Sequence, residues 1–550
     1  MGKKTPERRY DLLITNGIVY NGLGVPGEPA AVAVKGDRIV KIAPSIRPSL
    51  SRRVIDVRGM AVAPGFIDPH SHTDIELLVN PKAESKIRQG VTTEIGGNCG
   101  FTYFPLSGEC LELKKRFLKD KFEIDLDWND ITGFFKRLER RGVALNYATL
   151  LGHGSLREEV LGTVDREPTW DELAWMRSII RENMDKGAFG LSTGLIYTPG
   201  CFAQPPEITE LCREVAQYGG IYTTHMRDEG DYLMEAVEEA IAVARGAKVG
   251  LQISHLKLTY PRNWVKIHAV LSRISEVKAE GVDILADRYP YTATSTFLNV
   301  FFPRWIKQGS HSEYLARLVD PVIEPELRDY VKKMEEKIGS WENIMICSVL
   351  TDKNRSLTGQ TIHDAAARAG KDPYAFIRDL LIEENDQVGM INFSLNEENF
   401  KRIMCHPLVV IGSDGWALAP YGELGKDKPH PRSYGTFPRL LGRYVRDEKI
   451  MSLAHAIEKM TSITAMRFGL VGRGQLREHY FADIVVFDPD RVEDVATWSE
   501  PNQYPRGIEY VIVNGRVVID QGEHTGSLPG RVLKKCELNP HPRWAMPPSA

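Results

Sequence analysis

The chain has 550 residues, a formal net charge of −3 and an isoelectric point near 6.6, with 42% hydrophobic and 26% charged residues. This composition is ordinary for a globular protein and gives no electrostatic argument for binding nucleic acid or an anionic membrane surface. No stretch approaches the roughly 20 consecutive apolar residues of a membrane span, so neither a nucleic acid nor a membrane is an expected partner.

The basic stretch over residues 1–10 lacks the apolar segment that follows it in a signal peptide. We therefore expect a solvated tail there. The seven cysteines are scattered along the chain without paired spacing, which favours reduced thiols and a cytoplasmic protein.

Both ends of the chain are rich in β-structure. Residues 1–60 contain short apolar runs separated by Asn16-Gly17 and Gly36-Asp37, which are typical hairpin turns. Residues 476–550 repeat this pattern, with runs at 482–487, 510–513 and 516–519. Because the two ends flank a long α/β middle, they predict one small β-sandwich built from both.

The middle of the chain, residues 61–475, alternates apolar strand-like runs with amphipathic helical stretches. Such alternation predicts parallel strands joined by helices, and eight strands predict a distorted (β/α)8 TIM-like barrel with its chemistry at the carboxyl ends of the strands. The eight runs are 61–67, 91–96, 145–151, 188–192, 220–224, 249–254, 282–287 and 408–413.

The distance between the seventh and eighth runs exceeds what one helix and its loops require. Residues at about 304–402, including the charged stretch 325–338, are therefore predicted to form an insertion between strands 7 and 8. An insertion at that point is placed to cover the mouth of the barrel. The expected fold class is α/β.

Residues that bind metals follow several of the predicted strands. His70 and His72 come after the first run, and their spacing points both imidazoles to the same side of an extended strand. A lone histidine at a strand end is more often a structural group. Six residues of metal-ligand type at one barrel mouth instead predict a metal site, since burying them unpaired is costly. The other four are Cys99, His225, His255 and Asp414, after the second, fifth, sixth and eighth runs.

Several sequence strings around these positions are specific. They are Pro64-Gly-Phe-Ile-Asp68, Gly96-Gly-Asn-Cys-Gly100, Leu191-Ser-Thr-Gly-Leu195, Ser254-His-Leu-Lys257, Asp287-Arg-Tyr-Pro-Tyr291, His430-Pro-Arg432, Gly435-Thr-Phe-Pro-Arg439 and Gly530-Arg-Val-Leu533. Together they resemble the amidohydrolase superfamily, and in detail its N-acyl-D-amino-acid deacylase (D-aminoacylase) branch. The resemblance runs from about residue 10 to residue 534.

This resemblance implies a zinc-dependent hydrolase that cleaves N-acyl-D-amino acids to a carboxylate and a free D-amino acid. Many relatives with two metals bridge them with a carboxylated lysine at the end of strand four, where this chain has no lysine. The resemblance suggests Cys99 as the replacement, because a thiolate can bridge or anchor zinc. It implies a tight Zn2+ held by Cys99, His225 and His255, and leaves open a second, weaker ion held by His70, His72 and Asp414, with or without Cys99.

The resemblance also implies roles for residues around the metal. Asp414 takes a proton from the attacking water and later delivers one to the leaving amine. Tyr197 donates to the developing oxyanion. Arg432, Tyr289 and Lys257 are expected to bind the substrate carboxylate.

Several alternatives stay open. Tyr291 is a rival for the role of Tyr289. Asp68 is expected to support the ligand histidines without binding the metal itself. A cyclic amidase of the dihydroorotase or hydantoinase type, or an isoaspartyl dipeptidase, would use a similar site. A non-catalytic scaffold is the alternative from another class. The expected partner is a small N-acyl amino acid, and a homo-oligomer is left open.

Overall fold

The computed structural model describes residues 8–538. Residues 1–7, which are most of the predicted basic tail, and residues 539–550 lie outside the described residues. No helix within residues 8–538 has the length and hydropathy needed to cross a membrane.

The described chain contains 21 strands and 18 α-helices. The strands are β1 (Tyr10–Val19), β2 (Glu28–Lys35), β3 (Arg38–Ala43), β4 (Ser51–Asp56), β5 (Ala61–Pro64), β6 (Phe66–Asp68), β7 (Val91–Gly96), β8 (Asn146–Thr149), β9 (Leu151–Gly152), β10 (Gly190–Gly194), β11 (Ile221–His225), β12 (Gly250–Ile253), β13 (Ile284–Arg288), β14 (Thr294–Phe297), β15 (Ile344–Ser348), β16 (Gly389–Asn392), β17 (Val409–Ile411), β18 (Ile484–Phe487), β19 (Ile508–Val513), β20 (Arg516–Asp520) and β21 (Glu523–His524).

The helices fill the connections between the strands. They are α1 (Glu76–Val79), α2 (Glu84–Ile87), α3 (Gly108–Phe122), α4 (Ile131–Arg141), α5 (His153–Leu161), α6 (Trp170–Asp185), α7 (Pro205–Gln217), α8 (Leu233–Ala247), α9 (Ile267–Ala279), α10 (His311–Leu318), α11 (Glu324–Ile338), α12 (Ile362–Arg368), α13 (Pro373–Glu383), α14 (Glu397–Cys405), α15 (Arg432–Arg439), α16 (Leu453–Met460), α17 (Ser462–Phe468) and α18 (Lys535–Leu538).

The two ends of the chain meet in one nine-stranded sheet, as the sequence predicts. Its order is β21-β20-β19-β18-β5-β1-β2-β3, with β4 also paired to β1. A bridge between Arg38 and Phe481 brings the β3 edge against the segment that leads into β18, so the sheet curls around an apolar core. The predicted turn at Asn16-Gly17 is wrong: the pair lies inside β1, where the register shifts between Ile14 and Gly17.

Eight parallel strand positions form the predicted barrel. One sheet has the order β6-β7-β8 and the other the order β17-β13-β12-β11-β10-β9. The third strand position is kinked, since β8 pairs with β7 and β9, two residues further along, pairs with β10. The barrel is therefore distorted, and its side-chain core is continuous with that of the surrounding helices.

The predicted first strand at 61–67 is wrong as a single element. Its first half is β5, which pairs with β18 in the nine-stranded sheet, and its second half is β6, which pairs with β7 in the barrel. The chain changes sheet at Gly65, where a Cβ atom would lie 2.2 Å from the Thr92 hydroxyl oxygen. A close approach of this kind explains why glycine stands at the break.

The barrel closes differently between β6 and β17, a contact that we call the seam. No ladder of hydrogen bonds joins these two strands within the described chain. Instead, the segments that follow them pair: the Asp414 amide donates to the His70 carbonyl at 2.8 Å, and the His72 amide donates to the Gly415 carbonyl at 3.0 Å. Ligand-type residues from both strand ends therefore meet at the seam.

The segment between β13 and β17 forms a separate layer. Its three strands make an antiparallel sheet of order β14-β16-β15, and α10 to α13 pack on them around their own apolar cluster. The sheet begins at Thr294, earlier than the predicted start near 304, and the charged stretch 325–338 lies within α11. The division of the chain into separate folding units at residues 60 and 475 stays a prediction.

Candidate metal centre and active site

Three of the predicted ligands have an unusual backbone conformation. Cys99, His255 and Asp414 have φ angles of 53°, 41° and 52°, in the left-handed region that residues other than glycine rarely adopt. Each follows closely after a barrel strand, respectively β7, β12 and β17. Such a conformation costs about 1–3 kcal/mol per residue and is concentrated at functional sites.

Cys99 lies at the centre of a buried cluster. Its Sγ atom is 3.3 Å from His70 Nε2 and 3.5 Å from His255 Nε2. Asp414 completes the group, with Oδ1 at 3.3 Å from His70 Nε2. One ligand atom from each of these four residues lies within 4.8 Å of all the others, a spacing at which a single cation can contact them all.

The two remaining predicted histidines flank this cluster. His72 Nε2 lies 3.0 Å from Asp414 Oδ1. His225 forms a second group of possible ligands with Glu229 and His255, and neither of its ring nitrogens makes a hydrogen bond of normal geometry within residues 8–538. All six predicted ligands thus lie close together. The prediction placed His255 with the tight ion alone, whereas in the structure it belongs to both groups of possible ligands.

Buried carboxylates orient two of the histidines. Asp287 Oδ1 lies 3.1 Å from His70 Nδ1, and Glu229 Oε1 lies 3.1 Å from His255 Nδ1. His70 makes a hydrogen bond with Asp287 through Nδ1, and an imidazole that donates its Nδ1–H to a carboxylate keeps the Nε2 lone pair for a metal. At His255, Nδ1 lies beside both the Glu229 carboxylate and the Lys257 ammonium. In both rings Nε2 faces Cys99, so the arrangement fits metal binding.

Neither orienting carboxylate was predicted from the sequence. Asp287 stands at a strand end, as the ligands do, and this position was a usable signal. Glu229 lies four residues after His225 in a loop, where no strand pattern marks it. Its pairing becomes visible only when β11 and β12 lie side by side.

The charges around Cys99 and Asp414 favour their ionised forms. Burial alone would raise the pKa of the Cys99 thiol, but His70 and His255 hold it well below its usual range. Burial also opposes ionisation of Asp414, whose pKa is nevertheless held well below its usual value by Arg432 and His255. A thiolate with imidazole nitrogens and a carboxylate is a donor set that suits Zn2+.

Arg432 and Tyr289 border the ligand cluster. Arg432 Nη1 lies 2.6 Å from Asp414 Oδ2, and its guanidinium stacks over the Tyr289 ring at 4.7 Å from the centroid. The Tyr289 hydroxyl makes no hydrogen bond of normal geometry within the described residues. The Tyr291 hydroxyl instead lies 3.4 Å from an Asp494 oxygen, so Tyr289 is the tyrosine that flanks Arg432.

Tyr197 faces the cluster from the loop after β10. Its ring packs edge-on against His225, with the centroids 4.9 Å apart. Its hydroxyl is 2.8 Å from the Thr296 hydroxyl on β14, so the inserted layer contacts the site.

Lys257 has different contacts from those expected. Its Nζ atom lies 2.6 Å from both Glu229 Oε1 and His255 Nδ1. The ammonium group is thereby held among the groups that orient His255. Its predicted contact with substrate stays a prediction.

The end of β10 lacks room for a bridging lysine. A Cβ atom on Gly194 would lie 2.1 Å from the Cys99 carbonyl oxygen, because the loop that carries Cys99 passes directly over this residue. The close approach explains in physical terms why glycine and cysteine occur together in this site.

Comparison with known proteins identifies the chain. The model of the amidohydrolase family matches residues 53–519. The D-aminoacylase of Alcaligenes xylosoxydans xylosoxydans is 37% identical over 530 residues, which cover 96% of this chain and 98% of the relative. The chain belongs to the amidohydrolase family, in its D-aminoacylase branch.

Solved structures agree with the architecture of this amidohydrolase. N-acyl-D-glutamate deacylase from Bordetella bronchiseptica, in complex with zinc and a phosphonate mimic of the tetrahedral intermediate, matches with a TM-score of 0.81 and 34% identity over 96% of this chain and all of that one. A D-aminoacylase with a binuclear metal centre matches with a TM-score of 0.79 and 35% identity over the same shares.

Proposed function

We propose that this amidohydrolase is a zinc-dependent deacylase that cleaves the amide of N-acyl-D-amino acids, giving a carboxylate and a free D-amino acid. The observation that carries the proposal is the contact between Asp414 and Arg432. It joins a set of metal ligands to a guanidinium that is suited to the carboxylate of an amino acid.

The residues present fit zinc. We assign the tight ion to Cys99, His225 and His255, and a second, weaker ion to His70, His72 and Asp414. The ring nitrogens of His225, which make no hydrogen bond of normal geometry within residues 8–538, support the first assignment. Zinc supplies a Lewis acid that polarises the amide carbonyl and lowers the pKa of water. The binuclear centre of the related D-aminoacylase supports two positions.

Asp414 is our candidate for moving the proton. Its carboxylate is ionised and lies beside both the ligand histidines and Arg432, so it can accept a proton from the attacking water. The same group then returns the proton to the nitrogen of the leaving amine. In this scheme, water supplies the oxygen of the new carboxylate and the amide C–N bond breaks.

Substrate binding replaces one ion pair with another. Arg432 contacts Asp414 in the structure, and the substrate carboxylate competes for the same guanidinium. The hydroxyl of Tyr289, which makes no hydrogen bond of normal geometry within residues 8–538, supplies a second donor beside Arg432. Once Arg432 turns to the substrate, one oxygen of Asp414 becomes available to accept a proton.

Tyr197 is our candidate donor to the oxyanion. Burial and the nearby Cys99 raise the pKa of its hydroxyl well above the usual value, so this group keeps its proton and can donate it in a hydrogen bond. Its hydroxyl makes a hydrogen bond with another hydroxyl, that of Thr296. Such a contact is easily exchanged for one with a substrate oxygen.

Two rival functions have less support. The end of β10 carries no lysine, so the bridging group expected of many two-metal relatives is missing, which disfavours a hydantoinase-like or isoaspartyl dipeptidase-like activity. The full ligand set together with Asp414 disfavours a non-catalytic scaffold. The free state of all seven cysteines supports a cytoplasmic location, and the prediction of a homo-oligomer stays open.

A panel of N-acetyl-D- and N-acetyl-L-amino acids tests the proposal. The protein is stripped of metal with a chelator, assayed with and without added Zn2+, and the free amino acid is measured. We expect release of D-amino acids only when zinc is present. Hydrolysis of L substrates alone, or activity that persists in the metal-free protein, would contradict the proposal.

A matched pair of cysteine variants sharpens this test. Cys99→Ala is expected to lose the tight zinc ion together with the activity. Cys212→Ala removes another buried thiol, in helix α7, and is expected to keep both. Equal zinc content in the two variants would exclude Cys99 as a ligand.

A further inference from the structure

A fully buried lysine lies behind the ligand cluster. Lys86, in the short helix α2, is 0% exposed. Its ammonium lies 2.7 Å from Asp68 Oδ2, 2.6 Å from Glu94 Oε1 and 2.7 Å from Ser413 Oγ. These three acceptors match the three N–H donors of the ammonium. A buried ammonium is tolerated only when it is paired in this way.

Asp68 extends this network to both sides of the seam. Its Oδ1 atom accepts the Ser413 amide at 2.9 Å, just after β17, and the His70 amide at 3.2 Å, just after β6. Its Oδ2 atom accepts the Ser413 hydroxyl as well as the ammonium of Lys86. One carboxylate therefore binds the ends of two barrel strands.

The seam is the place where such a link is needed. β6 and β17 share no ladder, yet His70 and Asp414, the residues that follow them, must keep their side chains 3.3 Å apart. Every other neighbouring pair of strand positions in the barrel is set by backbone pairing. At the seam, only two backbone hydrogen bonds join the segments that follow the strands, and the side chain of Asp68 adds contacts to both of these segments.

We propose that Lys86 is a positioning residue of the metal site: it holds Asp68 across the seam and thereby fixes His70 relative to Asp414. This inference rests on the proposed zinc-dependent function. Lys86 acts through Asp68 and touches neither the ligands nor the substrate.

A simpler role for Lys86 would be to neutralise Glu94. Burial raises the pKa of Glu94 to about 7, so this carboxyl is itself poorly accommodated in the interior. Although burial opposes a charge on Lys86, its pKa is raised by Asp68 and Glu94, and it remains an ammonium. The experiment must therefore separate the contact with Asp68 from the contact with Glu94.

Lys459 provides a matched control for Lys86. It is also 0% exposed and donates to the carbonyls of His406 and Val409, at the start of β17. Lys86→Met and Lys459→Met each remove one buried ammonium next to the same strand. Only the first contacts the end of the strand that carries a ligand.

The measurement is zinc affinity by competition with a chelator, together with thermal unfolding of the metal-free proteins. We expect Lys86→Met to bind zinc about 10–100-fold more weakly, the loss typical of groups that orient ligands. Lys459→Met is expected to keep the zinc affinity of the unchanged protein. Equal zinc affinity in Lys86→Met and the unchanged protein would overturn the inference.

The double variant Lys86→Met/Glu94→Gln distinguishes the contact of Lys86 with Asp68 from its neutralisation of Glu94. It also covers the case in which Lys86→Met fails to fold. It removes the ammonium together with the charge of Glu94, and we expect it to regain thermal stability while zinc binding stays weak. Full recovery of zinc affinity would show that Lys86 only neutralises Glu94. A failure of the unchanged protein to bind zinc would instead contradict the proposed function.

Discussion

The two sides of the active site are built differently. On the metal side, two of the ligands at barrel strand ends contact a second buried group, His70 with Asp287 and His255 with Glu229. On the substrate side, Arg432 pairs with a proposed catalytic group and the Tyr289 hydroxyl has no hydrogen bond of normal geometry within residues 8–538. The metal side is fixed in advance, whereas the substrate side has contacts that a ligand can replace.

This difference has a physical reason. A cation tolerates little displacement of its ligands, so each ligand gains from an orienting partner. A substrate must enter and leave, and groups that already have strong permanent partners would bind it poorly. Variants on the two sides should therefore separate zinc binding from turnover.

Asp414→Asn gives the largest expected effect, because this residue belongs to both sides. Asparagine keeps an oxygen near the ligands but cannot take up the proton, so we expect kcat to fall by about 10²–10⁴-fold. The tight zinc ion, which we assign to Cys99, His225 and His255, should be retained. The measurements are turnover of N-acetyl-D-amino acids and metal analysis, and normal turnover would exclude Asp414 as the proton carrier.

Tyr197→Phe tests the substrate side alone. Loss of one donor to an oxyanion costs about 10²–10³-fold in kcat, and we expect no change in zinc affinity. Thr296→Val is the control, since it removes the partner of the Tyr197 hydroxyl but leaves the donor in place. If both variants lose the same activity, Tyr197 acts by anchoring the loop.

Arg432→Met is expected to have the smallest of the three effects. A hydrogen bond to a charged group contributes about 1.5–3 kcal/mol, so kcat/KM for N-acetyl-D-amino acids should fall by about 10–100-fold, mainly through KM. The matching carboxamides, which lack the substrate charge, should not lose activity in this variant. An equal loss for acid and carboxamide would show that Arg432 serves Asp414 and does not bind the substrate.

The fold and the ligand types were accessible from the sequence because both depend on local patterns. Apolar runs at regular intervals mark the barrel strands, and ligand-type residues directly follow them. What the sequence could not provide is the direction that each side chain takes after its strand. At Cys99, His255 and Asp414 this direction depends on a left-handed backbone, which tertiary contacts enforce.

Pairings between distant residues were the other missing information. Glu229 and Lys86 carry no strand-end signal, and their roles depend on neighbours brought together by the barrel. The break at Gly65 was missed for a similar reason: its neighbour Thr92 is remote in sequence. The contact between the Lys257 ammonium and Glu229 likewise had no signal in the sequence.

The nine-stranded sheet has a consequence for biosynthesis. β5 pairs on one side with β1 and on the other with β18, whose residues are translated more than 400 positions later. Until β18 has been synthesised, one edge of β5 has no partner strand, and an unpaired strand edge favours aggregation. β18 pairs with that edge of β5, so the nine-stranded sheet is completed only near the end of translation.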